Sequence, residues 1–584
     1  MKGENEMMNS RFKAVMLALA AFGAFSAPAE KVYLWPEGLM PDAQPGQIAA
    51  MTDVSTAPGF NPDEWRRPYI DWMPAPKAEG KTDVCVILIS GGAYTKQCDV
   101  EHVKTWTRRF TELGVTCVNL VHRTPRPHGL PIYQSAWEDG QRAVRLVRRE
   151  AAARGFSPDK IGTMSMSAGS HLATLLATSS LTPAYAPVDE ADAIPCNINF
   201  ACTFAIAYGM TDGYGITNTR EGDAPDVALS DVFKFDAKTC PMWMSHGGED
   251  PYSPLSSTHV FRRLRRMKIP AELHLYPDKG HTVVGFDRAV EFLRQMDFLP
   301  RGPEVALMSR FPDDSARAFY QKENIWPDGK MPDVQTNQCT PCIEWHIPSN
   351  LTTRAIQIIY SGGSYKGNSP NGFEVAPARR YLNEKGMAVV TMKYRTPRPA
   401  APLAKHTTAW QDLQRAIRIV RSEAASRGLD PDRIGIMGSS AGGHLTLMGA
   451  TSSRHRSYWP KDAIDKIPCN VQWAVAIYPA YALTDGLDWH NTSSGTDDSA
   501  RLAPEFSFDP STPPMLFVHG DADHWAAMNS VKAWEQLRRM GVQSELHTLA
   551  TRSHCFQRAA SPGTGSYTYL DRIWEFLSAK GFNR

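Results

Sequence analysis

The chain has 584 residues, of which 42% are hydrophobic, and this is enough to form two cores of ordinary domain size. Lysine and arginine total 63 against 61 aspartate and glutamate residues, so the net charge of +2 gives no electrostatic case for nucleic acid as a partner. Ten cysteines in so long a chain exclude a dense disulfide scaffold.

The first 29 residues have the pattern of a signal peptide. Arg11 and Lys13 precede an apolar stretch at 14–25, and small residues follow at Ala27 and Ala29. A dozen apolar residues are too few to span a bilayer core of about 30 Å, while the small residues suit a signal peptidase. We therefore expect cleavage near Ala29, export to the periplasm or beyond, and no membrane span in the mature protein.

Apolar strands and amphipathic helices alternate along the chain, which predicts a largely parallel sheet with helices on both faces. The elements predicted in the first half are strands at 84–89, 115–121 and 161–164 and helices at 137–153 and 171–178. The second half repeats this order. A Pro- and Gly-containing segment, 301–312, is the predicted linker between domains at 30–300 and 313–584.

The two halves are copies of one sequence. The segment Ala136–Arg145 returns as Ala409–Arg418, 273 residues later, and such a period is the mark of a duplicated fold. Copy one also carries about 20 extra residues before its first glycine pair. That segment is predicted to be either a cap near a site or a packed surface loop, and its bulky residues are Trp65, Arg66, Arg67, Tyr69 and Trp72.

Two further features have less specific interpretations. The basic run 262–268 is predicted to be the solvated face of an amphipathic helix. Cys339 and Cys342 are predicted to form a local disulfide or to remain two free thiols, since the sequence offers neither a second ligand pair nor a βαβ context around them.

Three catalytic residue types recur at the same spacing of 273. The sets are Ser167, Asp250 and His281 in copy one and Ser440, Asp523 and His554 in copy two. A serine becomes a nucleophile when a histidine takes its proton and a carboxylate holds that histidine in one tautomer. The acid and the histidine of each set follow predicted strands, and the carboxyl ends of such strands are where open α/β sheets assemble their sites. We therefore predict two catalytic triads.

The turns around the two serines differ. Ser440 lies in Gly438–Gly442, which matches G-x-S-x-G between a predicted strand and a predicted helix. Copy one has Ser165 in place of the leading glycine. Because this position is crowded, we expect strain of about 1–3 kcal/mol at the turn of copy one.

A glycine pair follows a buried strand in each copy, before the triad residues. Backbone N–H groups there, with the N–H after the serine, are predicted to stabilise negative charge on a substrate oxygen, each by about 3 kcal/mol. The predicted donors are Gly92, Ala93 and Ala168 in copy one and Gly363, Ser364 and Ala441 in copy two. The alternative is that these glycines only turn the chain.

Four other histidines have structural interpretations. His171 and His444 lie one turn into the helix after each serine and are expected to pack or hydrogen-bond locally. His246 and His519 are expected to brace the turns that carry the acids.

Several motifs resemble those of α/β-hydrolases in the esterase and lipase superfamily, near the bacterial acetyl-xylan-esterase and hormone-sensitive-lipase-like groups. They are the Gly-Gly-x-Tyr turn, Arg-Thr-Pro-Arg-Pro, Ser-Ala-Gly-x-His-Leu, the His-Gly-x-x-Asp turn and the final histidine. The resemblance implies two tandem α/β-hydrolase domains and carboxylic ester hydrolysis. Departures are Ser90 where relatives often have histidine, Ser165, and Cys555 after His554. No metal or organic cofactor is implied, since serine, histidine and backbone amides suffice.

The substrate is less constrained than the reaction. A secreted esterase without a long hydrophobic lid suits acetyl groups on a polysaccharide or oligosaccharide such as xylan, and feruloyl or general carboxylic esters stay open. A prolyl-oligopeptidase-type peptidase usually carries a β-propeller, for which this chain has no room. A non-catalytic binding protein is expected to have lost triad residues, yet both sets are complete.

Overall fold

The computed structural model describes residues 30–42, 67–73, 76, 80–97, 100–125, 127, 129–210, 228–301, 311, 313–484, 501–550, 552–558 and 569–584. The predicted signal peptide, Trp65, Arg66 and most of the predicted linker lie outside these residues. No helix within them is long and apolar enough to cross a membrane.

The chain forms two compact units that do not follow the two sequence copies. The first consists of Met1–Thr203 and Val232–Cys240, and the second of Phe204–Asp231 and Pro241–Arg584. The last two strands of copy one therefore belong to the second unit, together with all of copy two. The domain boundaries predicted near residues 300 and 313 stay a prediction.

The first unit is built on a mostly parallel sheet. Its strands are β1 (Glu30–Tyr33), β2 (Tyr69–Trp72), β3 (Cys85–Ile89), β4 (Thr116–Val121), β5 (Ile161–Met166) and β6 (Phe200–Phe204), whose last residue opens the second unit. The order is β1-β2-β4-β3-β5-β6, with β1 and β2 antiparallel to their neighbours. All five residues of β3 are buried, as expected for a strand covered on both faces.

The helices of the first unit follow the strands closely. They are α1 (Val100–Glu112), α2 (Gln134–Arg149), the single turn α3 (Ala151–Arg154) and α4 (Ala168–Thr178). The predicted helices at 137–153 and 171–178 are confirmed, and α4 begins three residues earlier than predicted, directly after Ser167.

The extra segment of copy one contributes a strand. Tyr69 and Trp72 lie in β2, which pairs with β1 and β4, and Trp72 is 4% exposed. The guanidinium of Arg154 lies 3.8 Å from the centroid of the Trp72 ring. The part of this segment that is described is therefore packed into the sheet and does not form a cap.

The second unit contains a ten-stranded sheet. Its strands are β7 (Met242–Gly247), β8 (Ala271–Tyr276), β9 (Arg317–Asn324), β10 (Cys342–Pro348), β11 (Ile356–Tyr360), β12 (Ala388–Lys393), β13 (Ile434–Ser439), β14 (Trp473–Ile477), β15 (Met515–Gly520) and β16 (Glu545–Leu549). The order is β7-β8-β16-β15-β14-β13-β11-β12-β10-β9. The central strands from β12 to β16 are parallel.

The helices of the second unit cover this sheet. They are α5 (Leu255–Arg266), α6 (Phe286–Gln295), α7 (Ala376–Glu384), α8 (Thr407–Ala424), α9 (Ala441–Thr451), α10 (Met528–Arg539) and α11 (Tyr569–Ala579). One core lies where α7 and α11 meet the sheet, and it includes Leu382, Val475, Ile573 and Phe576.

The Arg-Thr-Pro-Arg-Pro segments anchor a helix in each unit. In the second unit the backbone N–H and Nε of Arg395 both donate to the carboxylate of Asp412 in α8, and the indole of Trp326 donates to the same carboxylate at 2.7 Å. In the first unit Arg123 and Trp35 bind Asp139 in the same way. The arginine is thus a structural anchor that fixes the strand after the glycine turn against the next helix.

The nine described cysteines are free thiols. Cys339 and Cys342 are among them, so the structure favours two free thiols over a local disulfide at this pair. Burial raises the pKa of the Cys342 thiol, which makes it a poor thiolate.

Strands β8 and β16 are equivalent in the two copies, and they pair antiparallel with each other. Side chains that are 273 residues apart meet along this seam, as when the Arg262 guanidinium donates to Glu535. Arg265 lies 3.3 Å from Asp521 and Arg538 donates to the carbonyl of Gly248. The prediction that the basic face of α5 is solvated is therefore wrong for Arg262 and Arg265, because residues of the second copy cover these two side chains.

A buried chain of four ionisable groups crosses the seam. Glu272 contacts His274 Nε2 at 3.0 Å, His274 Nδ1 contacts His547 Nδ1 at 2.9 Å, and His547 Nε2 contacts Glu545 at 3.0 Å. Burial lowers the pKa of both histidines and raises the pKa of Glu272 to about 7 and of Glu545 to about 8. Three contacts need three protons and two neutral imidazoles supply two, so one carboxyl must be protonated.

We expect Glu545→Gln to remove part of the pH dependence of stability. A carboxyl whose pKa is raised in the folded state stabilises the fold at low pH, and that stability is lost as the pH rises from about 4.3 toward about 8. An amide keeps a donor for His547 and does not titrate. The stability of the variant relative to the wild type should therefore rise by about 2–3 kcal/mol between about pH 6 and pH 9.

Urea denaturation at both pH values measures this difference, and the exposed Glu112→Gln is the matched control. Parallel pH curves for Glu545→Gln and the wild type would contradict the proton count.

Candidate active site

Ser440 lies at a sharp turn between β13 and α9. Its φ is 56° and its ψ is −121°, a conformation that a residue with a side chain rarely adopts. The Ser440 N–H donates to the carbonyl of Ile477 at 3.0 Å, which fixes the turn against β14. A Cβ on Gly362 would lie 2.6 Å from the Cβ of Ser440, so this close approach requires glycine.

The three residues predicted as the triad of copy two are in contact. His554 Nδ1 lies 2.8 and 3.0 Å from the two carboxylate oxygens of Asp523. His554 Nε2 lies 2.8 Å from the Ser440 hydroxyl. With Nδ1–H donating to the carboxylate, Nε2 is left as the acceptor for the serine proton.

Asp523 is held as an anion. Burial would raise its pKa, but hydrogen bonds and charge interactions with His519 and His554 offset this effect and lower the pKa. Its Oδ1 also accepts from the backbone N–H of Trp525 at 2.8 Å.

His519 braces the acid turn, as the sequence predicts. Its Nδ1 is 2.8 Å from the Ser530 hydroxyl and its Nε2 is 2.8 Å from the carbonyl of Trp525. The ring therefore ties β15 to α10 and to the loop that follows Asp523. His246 makes the equivalent contacts in copy one, with Ser257 and with the carbonyl of Tyr252.

The glycine turn of copy two has three consecutive residues with positive φ: Gly363, Ser364 and Tyr365. The Gly363 carbonyl accepts from the N–H of Lys366 at 2.8 Å, which closes the turn. No described residue accepts a hydrogen bond from the backbone N–H of Gly363, Ser364 or Ala441. The N–H groups of these three predicted donors are therefore not engaged by any described residue, and their role in the site stays a proposal.

Glu374 is a residue that the sequence did not reveal. Its carboxylate accepts from the Gly362 N–H at 2.8 Å and from the Tyr478 hydroxyl at 3.0 Å, and burial raises its pKa. The Tyr478 ring lies 4.7 Å from that of His554, between centroids. Glu374 therefore positions both the glycine turn and the ring behind the base. Glu374 lies outside the repeated motifs, so nothing in a single sequence distinguishes it from other glutamates.

In the first unit, Ser167 lies at the same kind of turn between β5 and α4. Its φ is 60° and its ψ is −126°, close to the values at Ser440. A Cβ on Gly91 would lie 2.9 Å from the Cβ of Ser167. The predicted donors Gly92 and Ala93 have positive φ, and Ala168 opens α4 directly after the serine.

In the second unit, the acid and histidine of copy one are in contact. His281 Nδ1 lies 2.8 and 3.0 Å from the carboxylate oxygens of Asp250. Burial would raise the pKa of Asp250, but His246 and His281 lower it well below its usual range. The pair repeats the arrangement of Asp523 and His554.

The strain expected at Ser165 in the turn of copy one stays a prediction. The Ser165 hydroxyl lies 3.2 Å from the Ser170 hydroxyl and 3.3 Å from the carbonyl of Cys202. At Gly438 a Cβ would lie 2.4 Å from the carbonyl oxygen of Gly442 and 2.5 Å from the Tyr360 ring, and Ile89 stands at the position of Tyr360 in copy one. The two turns are therefore packed differently, each around its own residue.

The side chains beside the two histidines also differ. The ring centroid of exposed His524 is 4.8 Å from that of His554, and Trp525 lies behind it. In copy one the Tyr252 ring is 5.1 Å from His281, and its hydroxyl is 3.4 Å from that of Tyr208. The two histidines therefore have different aromatic neighbours.

The chain belongs to the BD-FAE family, whose profile matches residues 71–231 and 345–537. Two separate matches on a mostly parallel sheet confirm the predicted tandem α/β-hydrolase fold.

The curated proteins that resemble this chain share about a quarter of its residues over the matched segments. The chain is 27% identical to Esterase LipQ of Mycobacterium tuberculosis over 36% of this chain and 52% of that protein. It is 25% identical to an acetylxylan esterase of Xylanibacter ruminicola over 40% of this chain and 46% of that protein. The chain thus spans about half the length of the curated relatives it matches.

A solved structure, an acetyl ester-xyloside bifunctional hydrolase from Caldicellulosiruptor lactoaceticus, is 22% identical with a TM-score of 0.37. The match covers 45% of this chain and 97% of that one.

We expect Asp523→Asn to lower kcat/KM on p-nitrophenyl acetate by about 10³–10⁴-fold in a Ser167→Ala background. The amide keeps the shape of the carboxylate but no longer holds His554 in the tautomer that leaves Nε2 free to accept. The matched control is His524→Gln, a change on an exposed ring beside the same carboxylate, which should leave the rate largely intact. A rate retained by Asp523→Asn would contradict the assigned role of this acid.

Proposed function

We propose that the protein is a carboxylic ester hydrolase with one Ser-His-Asp triad in each copy. The single observation that carries this proposal is the contact of His554 Nε2 with the Ser440 hydroxyl at 2.8 Å, with Nδ1 on Asp523. Similarity to proteins named as esterases supports the same reaction class.

The proposed reaction has two steps. His554 takes the proton of Ser440 as the oxygen attacks the ester carbonyl, and the negative oxygen that forms is stabilised by the N–H groups of Gly363, Ser364 and Ala441. The protonated histidine then gives its proton to the leaving alcohol, which departs and leaves an acyl-serine. Water, deprotonated by His554, attacks this acyl group, and the carboxylic acid leaves as Ser440 regains its proton.

Copy one is proposed to follow the same course with Ser167, Asp250 and His281. The supporting observations are the matching backbone conformation of Ser167 and the matching contact of His281 with Asp250. The N–H groups of Gly92, Ala93 and Ala168 are the proposed donors there.

We propose acetyl esters on a plant polysaccharide or oligosaccharide, such as acetylated xylan, as the substrate. Similarity to an acetylxylan esterase supports this class, and the signal peptide pattern of the first 29 residues supports export to where such polymers are met. Exposed His524 and the half-buried Tyr252 beside the two bases offer polar and aromatic contacts for a sugar.

Three substrates offered side by side test the proposal: acetylated xylan, methyl ferulate and a peptide amide. We expect acetate release from the xylan, little hydrolysis of the ferulate and none of the amide. Ser167→Ala and Ser440→Ala should each retain part of the acetate release, because each leaves one triad, and the double variant should lose it. Faster hydrolysis of the ferulate than of the xylan would overturn the substrate class, and full activity in the double variant would overturn the mechanism.

A further inference from the structure

Two histidines and one glutamate converge in copy two, away from the triad. His406 precedes α8, His444 lies in α9, and Glu505 lies in the loop before β15. One ligand atom from each lies within 4.8 Å of the others. His444 Nε2 is 3.1 Å and His406 Nδ1 is 3.8 Å from the same Glu505 oxygen, close to the about 3.3 Å that separates ligands of a tetrahedral zinc ion.

The convergence leaves one nitrogen unused. His406 Nδ1 is buried and makes no hydrogen bond with any described residue. A buried ring nitrogen without a partner is costly unless something fills the space. The Glu505 oxygen at 3.8 Å is too far away to accept a hydrogen bond from Nδ1–H, so neither tautomer of the ring satisfies this nitrogen.

The ligand atoms are held in place from behind. His444 Nδ1 is 2.8 Å from the Tyr365 hydroxyl, so the opposite nitrogen, Nε2, points into the cluster. The carbonyl of Glu505 accepts from the Ser452 hydroxyl at 2.9 Å, which anchors its loop to the end of α9. Such hydrogen bonds on the far side of a ligand are typical of metal sites.

The charges also suit a cation. The Glu505 carboxylate supplies a negative charge, and a bound ion would displace the proton that His444 Nε2 shares with that carboxylate, leaving Nδ1–H to donate to the Tyr365 hydroxyl. Lys405 is the nearby positive charge, and its ammonium lies 3.6 Å from the Tyr481 ring centroid.

Copy one lacks this cluster although it shares the fold. Tyr133 stands at the position of His406 and Val232 at that of Glu505, while His171 matches His444. His171 keeps the hydrogen bond to its tyrosine, Tyr94, at 2.8 Å. The histidine and tyrosine are therefore common to both copies, and the two added ligands are not needed to build the helix that follows the serine.

We propose that His406, His444 and Glu505 bind one divalent transition-metal ion of the zinc class. Two imidazoles and a carboxylate are ligands that zinc accepts, with water in the fourth position. The side chains of Glu505 and His406 are 20% and 13% exposed, so the cluster lies near the surface of copy two. Because Tyr365 links His444 to the glycine turn, the bound ion would stabilise copy two around Ser440.

The substitutions that test this site are His406→Tyr and Glu505→Val, which install the residues of copy one at their own positions. Untagged protein is stripped with a chelator and titrated with zinc chloride by calorimetry, and with cobalt(II) by visible absorption. We expect one zinc per chain, tetrahedral cobalt bands and a higher melting temperature with zinc. Each substitution should abolish all three, while circular dichroism confirms that the variant is folded.

The cluster of Asp523, His524 and His554 is the competing site, since its ligand atoms also lie within 4.8 Å of one another. His524→Gln should leave the stoichiometry of one zinc unchanged. Zinc binding that is lost in His524→Gln but kept in His406→Tyr would overturn the proposal, as would a wild-type protein that binds no zinc.

Discussion

Each nucleophile turn holds a serine in a backbone conformation that few serines adopt, and the rest of the site is arranged around it. Ser440 and Ser167 have φ of 56° and 60°, at a cost of about 1–3 kcal/mol for each residue. The surroundings offset this cost. A buried parallel strand enters the turn and a buried helix leaves it, so neither end can relax without breaking a core. In the second unit the Ser440 oxygen is thereby held where His554, from a distant loop, lies 2.8 Å away.

A second constraint joins the two copies. Strands β8 and β16 pair antiparallel, and His274 meets His547, its own equivalent. Contacts between equivalent residues are what a two-fold symmetric dimer makes at its axis, so this seam has the form of an isologous interface within one chain. The proton count breaks the symmetry, because one of Glu272 and Glu545 must hold a proton that the other lacks.

The sequence carried much of this arrangement because the signals are local or repeated. Apolar runs at 84–89 and 115–121 predicted β3 and β4 to within one residue of their observed bounds, since strands covered on both faces have little choice of residue. The common spacing of 273 predicted that Asp523 and His554 belong with Ser440, and these three side chains are in contact. The sequence was a poorer guide where the structure depends on contacts between residues that are far apart in the chain.

Long-range packing decided the predictions that were wrong or missing. Arg262 fits a solvated face by its period, but the partner that buries it is more than 250 residues away. Glu374 meets Tyr478, and His406 meets Glu505, only in space, so no short window of sequence contains either pattern.

The central claim is that one chain carries two Ser-His-Asp sites. Intact-mass spectrometry after treatment with a serine-directed phosphonate tests it most directly, because each activated serine adds one adduct whatever the natural substrate. The predicted result is two adducts per chain, with the labelled peptides containing Ser167 and Ser440. A chain that saturates at one adduct, or a label on neither serine, would contradict the claim.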